Sequence, residues 1–218
     1  MSWDLDFYGR GLHVNRWPFE QVVANLNRIA ALEPGRSPRV LEIGSGTGNN
    51  LRFVGEVGWF GVGVDSSALG LRIATEFLGG LGLPSRLVVA SFDDLPFADA
   101  SFDIVFDRGA LIHATDRGLD RATAEVARVL ADGGFFLTLG LRSRRHPDAP
   151  PGEGPAFVTK LGRPMSYVTR ERVDVALSCF ADARVRTRTL VRDDVLVDEE
   201  FEGIARKGLA LPALKGWS

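Results

Sequence analysis

Val40-Leu41-Glu42-Ile43-Gly44-Ser45-Gly46-Thr47-Gly48-Asn49-Asn50 decides how the rest of the chain reads. A short apolar run bounded by turn formers predicts a buried strand. Glycine at every second position then lets the backbone turn sharply and come close to a ligand, since no Cβ stands in the way. The last two glycines are separated by one residue, whereas the dinucleotide fingerprint separates them by two. Glu42 sets a carboxylate at the carboxyl end of the strand, which suits a cationic group on the ligand rather than a phosphate.

Outward from this stretch, strands and helices alternate. An apolar face at helical spacing (Val22, Val23, Leu26, Ile29, Ala30) predicts a helix over 19–32, with Pro18 in its first turn. The opening strand is 39–43, and a helix follows over 49–57. A second strand over 59–64 ends at Asp65. Ser66 or Ser67 caps the next helix, which Gly79-Gly80 stops. Strands are expected at 87–90, 103–106 and 135–139, with a helix over 116–130 before the last of them. A helix over 169–180, with Thr169 as cap, leads to a hairpin of two β-like runs, 183–191 and 195–205. Such alternation implies a parallel α/β sheet with helices on both faces and right-handed crossovers. Ligands bind such sheets beyond the carboxyl ends of the strands. The glycine loop, Asp65, the segment from Ala90 to Asp93, and Asp107-Arg108 all fall there.

The totals narrow the setting. At 218 residues the chain is long enough for one α/β domain. A formal net charge of −2 gives no general attraction to nucleic acid or anionic membrane, so neither is expected as a partner. Cys179 stands alone, which rules out an intramolecular disulfide and suits a reducing compartment. Its apolar neighbours predict a buried, unreactive thiol. The opening residues lack the basic start and long apolar core of a signal peptide, so a cytoplasmic protein is expected. No metal-ligand set is expected. Arg184, Arg186 and Arg188 alternate along a strand and so share one face, read as a solvated one.

The pattern Glu42-x-Gly44-x-Gly46-x-Gly48 resembles the first motif of the class I S-adenosylmethionine-dependent methyltransferases. The resemblance covers residues 40–139 well and the whole chain more loosely. It implies a Rossmann-like seven-stranded sheet, mostly parallel, closed by an antiparallel C-terminal strand, with S-adenosyl-L-methionine as cofactor. Glu42 would face the methionine amino group, and Gly44, Ser45, Gly46, Gly48 and Asn49 would pack against the carboxypropyl arm. Asp65, with Ser66 beside it, would accept hydrogen bonds from the ribose hydroxyls, though an aspartate at that position also caps helices.

Ala90-Ser91-Phe92-Asp93-Asp94-Leu95-Pro96-Phe97 resembles the adenine-contact motif of the family, with Ser91 in place of the usual first aspartate. Ser91 and the backbone N–H of Phe92 are the candidates there, and Asp93 is a second. Asp107-Arg108-Gly109-Ala110-Leu111-Ile112-His113 follows strand four, where the transferred methyl group should sit. His113 is a candidate general base, histidine having a reference pKa of about 6.5. Local packing of that ring is the plainer alternative. Arg108 either steers a carboxylate, on the acceptor or on the methionine arm, or pairs with Asp107.

The run from Tyr8 to Phe19 resembles the amino terminus of a subgroup of these enzymes associated with surface-polysaccharide or other secondary biosynthesis. It would form a lid in which Arg16 pairs with the methionine carboxylate. An irregular arm packed on the sheet edge is the alternative. These readings divide the chain into an arm (1–18), a cofactor-binding core (19–141), an acceptor loop region (142–168) and a closing helix and hairpin (169–218). They predict methyl transfer to an oxygen or nitrogen of a small-molecule acceptor by a monomer or homodimer. An RNA or protein methyltransferase, a nicotinamide-dependent oxidoreductase and a non-catalytic cofactor-binding module are the rivals.

Overall fold

The computed structural model describes residues 3–12, 14–160 and 163–217, so Met1, Ser2 and His13 of the arm, Leu161 and Gly162 of the loop region, and Ser218 lie outside it. The elements in chain order begin with α1 (Trp3–Asp6), a 3-10 turn (Tyr8–Arg10), α2 (Glu20–Ala30), β1 (Arg39–Ile43), α3 (Asn49–Glu56) and β2 (Phe60–Asp65). There follow α4 (Ala68–Gly80), β3 (Arg86–Val89), β4 (Phe102–Arg108), a second 3-10 turn (Leu111–His113), α5 (Asp116–Val129) and β5 (Leu130–Arg142). The chain closes with β6 (Ala156–Lys160), β7 (Arg163–Tyr167), α6 (Arg170–Leu177), β8 (Asp182–Arg192) and β9 (Val195–Arg206). Seven strands form one sheet in the order β3-β2-β1-β4-β5-β9-β8. The first five are parallel to their neighbours, and β9 runs antiparallel to both β5 and β8. The expected architecture is therefore the observed one.

Strand alternation builds two cores. On one face Leu41, Ile43, Val105 and Phe136 meet Leu119, Ala122 and Val126 of α5 and Val173 and Leu177 of α6. On the other, Val40, Ile104, Phe106 and Leu137 meet Val22, Leu26 and Ile29 of α2. Leu211, Leu214 and Trp217 complete this second core. Trp217 is buried and donates its indole N–H to Asn25 Oδ1 at 2.8 Å.

The helix caps follow the sequence. The side chains of Ser67, Thr115 and Thr169 each accept a backbone N–H of the first turn that follows. Five expectations are corrected, two of them in the β8 arginines and the 142–168 region. Helix α4 runs through Gly79-Gly80 and is capped by Leu81, since two helical glycines weaken a helix without obliging it to stop. Strand β5 begins at Leu130, with no separate turn, because Leu130 already pairs with Phe102 and Gly133 N–H with Lys207 O. Cys179 is exposed rather than buried. Val173, Ala176, Leu177 and Phe180 take the inward positions, which leaves 178 and 179 facing out.

The arginines of β8 are not a solvated row. Arg184 donates to the carbonyls of Leu211, Pro212 and Trp217. Arg186 lies over the Trp217 ring and pairs with the buried Glu202, and Arg188 reaches Glu200 at 3.3 Å. Arg184 and Arg186 fasten the last segment to the sheet. Within 142–168, β6 and β7 form a two-stranded hairpin where the sequence pattern predicts only a loop. Trp217→Ala should destabilise the chain by about 3–5 kcal/mol, read as a lower urea midpoint, because it empties a core site and removes one of the two hydrogen bonds to Asn25 Oδ1, leaving that from Arg28.

Candidate active site

A cavity of about 420 Å³ opens beyond the carboxyl ends of β1, β2, β3 and β4. It lies where a parallel sheet switches direction from its first strand, the place such folds use for ligands. Glu42, Gly44, Ser45, Gly46, Asn49, Asp65, Ser66, Ser91, Phe92, Arg108 and His113 all line it. The structure thus brings together eleven of the residues singled out from sequence.

Glu42 is buried one residue before the carboxyl end of β1. Its Oε1 accepts Asn50 Nδ2–H at 2.7 Å, while its Oε2 has no hydrogen-bond partner among the described residues. Burial raises this carboxyl well above its usual range. The Asn50 hydrogen bond opposes the rise, and the charges of Asp107 and Asp65 add to it. Ser45 Oγ is likewise buried without a partner. Two unpartnered polar atoms on the wall of a cavity are sites for a ligand's polar groups, since burying them unpaired costs about 1–3 kcal/mol each. A carboxylate suits an ammonium group, and a hydroxyl suits either a donor or an acceptor.

Asp65 ends β2. Its Oδ2 accepts Gly46 N–H at 2.9 Å and its Oδ1 accepts Ser67 N–H at 2.8 Å. It both ties the glycine loop to the start of α4 and keeps one lone pair on each oxygen for a ligand diol. Burial raises its pKa, and the two N–H donors oppose the rise.

The glycines serve packing as well as the ligand. Gly44 has φ +68°, and a Cβ there would lie 2.1 Å from that of Ala110. A Cβ at Gly46 would lie 2.8 Å from the Tyr8 hydroxyl. Gly48 is off the cavity wall and faces Ala74 and Leu78 of α4. Asp93 is also off the wall, engaged by Ser91 Oγ and by Arg121. Ser91 therefore stands at the cavity with its hydroxyl turned to Asp93. Asp107 sits behind the wall. Its Oδ1 accepts Ala110 and Leu111 N–H, Thr138 donates to Oδ2, and burial pushes its pKa up to about 6. It holds the turn that carries His113. Arg16 is not brought to the cavity, because its guanidinium lies on the Phe77 ring at 4.5 Å.

His113 Nδ1 lies 2.6 Å from the Pro164 carbonyl oxygen of β7. A carbonyl only accepts, so Nδ1 carries the proton in the neutral ring and Nε2 is the basic nitrogen. Trp3 meets this ring edge-on at 4.9 Å. Arg108 pairs with Glu200 at 3.7 Å, not with Asp107, and stacks on Phe19 at 4.8 Å.

The amino-terminal run forms part of the wall. Trp3, Tyr8, Asn15 and Phe19 line the cavity. Asp4 accepts Leu69 N–H and Ser67 Oγ–H, which pins α1 to the start of α4. Asn49 donates to Trp17 O, Thr47 to Asn15 O, and Phe19 N–H to Asn50 Oδ1 at 2.9 Å. Among the lining residues without an individual assignment from sequence, Tyr8 and Phe19 lie within the run read as a lid or packed arm, Arg142 and Met165 lie within the stretch read as the acceptor loop region, and Asn50 closes the glycine motif.

The Methyltransferase domain family matches residues 40–134. The chain is 38% identical over 117 residues to sterol methyltransferase-like 1 of Botryococcus braunii, covering 52% of this chain and 28% of that protein. It is 36% identical over 100 residues to the uncharacterized methyltransferase YcgJ of Bacillus subtilis, covering 45% of this chain and 39% of that protein. The chain thus spans well under half the length of these curated relatives. Among solved structures, a SAM-dependent methyltransferase from Methanosarcina mazei superposes with a TM-score of 0.67 at 20% identity, over 82% of this chain and 96% of that one. The 1,6-didemethyltoxoflavin-N1-methyltransferase of Burkholderia thailandensis, with 1,6-didemethyltoxoflavin and S-adenosylhomocysteine bound, gives 0.60 at 20% identity, over 86% and 79%. These structural likenesses establish the fold.

The raised Glu42 pKa has a measurable sign. The folded state binds this proton more tightly than the unfolded state, so stability falls as pH rises from the ordinary carboxylate range to the folded-state pKa. Glu42→Gln keeps the oxygen that Asn50 needs and removes the buried ionisation. It should melt above the wild type at pH 8 without ligand, and the gain should shrink at pH 4, where both side chains are neutral.

Proposed function

We propose that this chain, a class I S-adenosylmethionine-dependent methyltransferase by family match and fold, transfers a methyl group to an oxygen or nitrogen of a small-molecule acceptor. The observation that carries the reading is the pairing of Glu42, with its unpartnered buried Oε2, and Asp65 on one wall of a cavity whose other end holds His113. The cofactor supplies a methyl group on a cationic sulfur, which departs as a neutral thioether.

The residues present fit that cofactor. Glu42 receives the ammonium, Ser45 Oγ has an unfilled hydrogen bond for the amino-acid end, and Asp65 takes the ribose hydroxyls. Phe92 lines the wall on the side where the adenine is expected, with its backbone N–H as the donor and Ser91 beside it. Tyr8 and Phe19, held by Asp4 and Asn50, cover the cavity and limit water. The chain's main contribution is orientation, because the displacement needs donor and nucleophile in line. His113 takes the acceptor proton at Nε2, with Pro164 O holding the ring in the tautomer that leaves Nε2 basic. Relatives whose names specify a sterol, a ubiquinone or menaquinone precursor, or toxoflavin chemistry support a small acceptor for this chain too.

Two measurements test this. Asp65→Ala should weaken S-adenosylhomocysteine binding by about tenfold or more in a calorimetric titration, the loss expected when hydrogen bonds to a charged group are removed. Unchanged affinity would contradict the assignment. His113→Gln should lower the turnover number by about 10²–10⁴-fold with little change in S-adenosylhomocysteine affinity, and should abolish the rise of rate with pH seen as the imidazole loses its proton.

A further inference from the structure

The far end of the cavity carries a guanidinium whose setting is more elaborate than its one ion pair requires. Arg108 lies between the Phe19 ring and the backbone at Gly140. Strand β5 shifts register between Leu139 and Leu141, and Gly140 adopts φ +98°. A Cβ there would stand 2.2 Å from Arg108 Nη1, so the bulge and the glycine together make the slot for this side chain. Inside the slot, Arg108 Nε is buried with no hydrogen-bond partner among the described residues.

Its ion-pair partner among the described residues is shared. Glu200 stands 3.7 Å from Arg108 Nη2, outside hydrogen-bond reach, and is closer to Arg188 at 3.3 Å and to Gln21 Nε2 at 3.4 Å. Burial also raises the Glu200 pKa. Arg142 adds a second cation to the same wall, with Asp148 at 3.5 Å. The acids that line the cavity, Glu42 and Asp65, are claimed at the cofactor end. Phe19, Ile112 and Met165 supply the apolar surface between.

Resting on the methyl-transfer reading, we infer that the acceptor is a small carboxylic acid with a flat apolar body, its carboxylate taken by the Nε edge of Arg108 with Arg142 in support. The two oxygens of a carboxylate match the parallel N–H donors of one guanidinium edge, and the apolar body lies against Phe19, Ile112 and Met165. This sets the acceptor nucleophile on the His113 side of the cavity.

The test uses the full chain saturated with S-adenosylhomocysteine and three matched probe pairs: para-hydroxybenzoate, para-hydroxyphenylacetate and para-hydroxycinnamate, each against its primary amide. In calorimetric or NMR titrations at least one acid should bind about tenfold or more tightly than its amide, as expected for a charge-assisted pair. Arg108→Gln should erase that preference while holding S-adenosylhomocysteine affinity within about twofold. Amides that bind as well as acids, no binding of any pair, or a preference that survives Arg108→Gln would overturn the inference. A large loss of S-adenosylhomocysteine affinity in Arg108→Gln would overturn it differently, by assigning the guanidinium to the methionine carboxylate. Wild-type chain that binds no S-adenosylhomocysteine would remove the methyl-transfer reading itself, and this inference with it.

Discussion

Glu42 and Asn50 form the contact on which the site depends. The carboxyl lies one residue before the end of β1, is buried, and accepts a hydrogen bond from Asn50 Nδ2 at 2.7 Å on one of its oxygens. The other end of the same amide accepts Phe19 N–H at the start of α2. One side chain thus couples the cofactor end of the cavity to the segment that roofs its acceptor end. An isolated buried carboxylate is among the more costly groups to place inside a protein. Here the unpartnered Oε2 belongs to a residue that lines the cavity, and burial favours the neutral carboxyl.

The surrounding architecture keeps that arrangement rigid. Gly46 N–H and Ser67 N–H lock Asp65 between two loops. Asp107, behind the wall, holds the 3-10 turn of His113 through two backbone donors. The β6–β7 hairpin then fixes the imidazole through Pro164 O and contributes Met165 to the cavity. Asp65, Asp107 and His113 are therefore oriented by backbone groups and Glu42 by the Asn50 amide, so neighbouring elements hold the side chains at these strand ends.

The parallel core was legible because its signals are local. The apolar run into alternating glycines, Asp65 after a second apolar run, and the capping Ser67 and Thr169 each rest on residues close together in sequence, and each holds in the fold. The cofactor end of the site inherits that legibility. The acceptor end does not, because its residues meet only through long-range packing: Phe19 with Arg108, His113 with Pro164, Arg142 with Asp148. The Pro- and Gly-rich stretch before residue 156 hid the hairpin that follows it. Arg16 and the β8 arginines show a related limit. A guanidinium reads as a ligand-binding or solvated group in sequence, whereas Phe77, Glu202 and the carbonyls near Trp217 claim these.

The central claim is that the cavity receives a cation at Glu42. Titrating S-adenosylhomocysteine into the chain at neutral pH, in two buffers of different ionisation enthalpy, reads it directly. Burial favours the neutral form of the Glu42 carboxyl before binding, and an ammonium beside Oε2 favours the carboxylate, so binding should shift the carboxyl toward ionisation with release of protons to the buffer, and Glu42→Gln should abolish that release. Binding enthalpies that are the same in both buffers, with Glu42→Gln as tight as the wild type, would contradict the account.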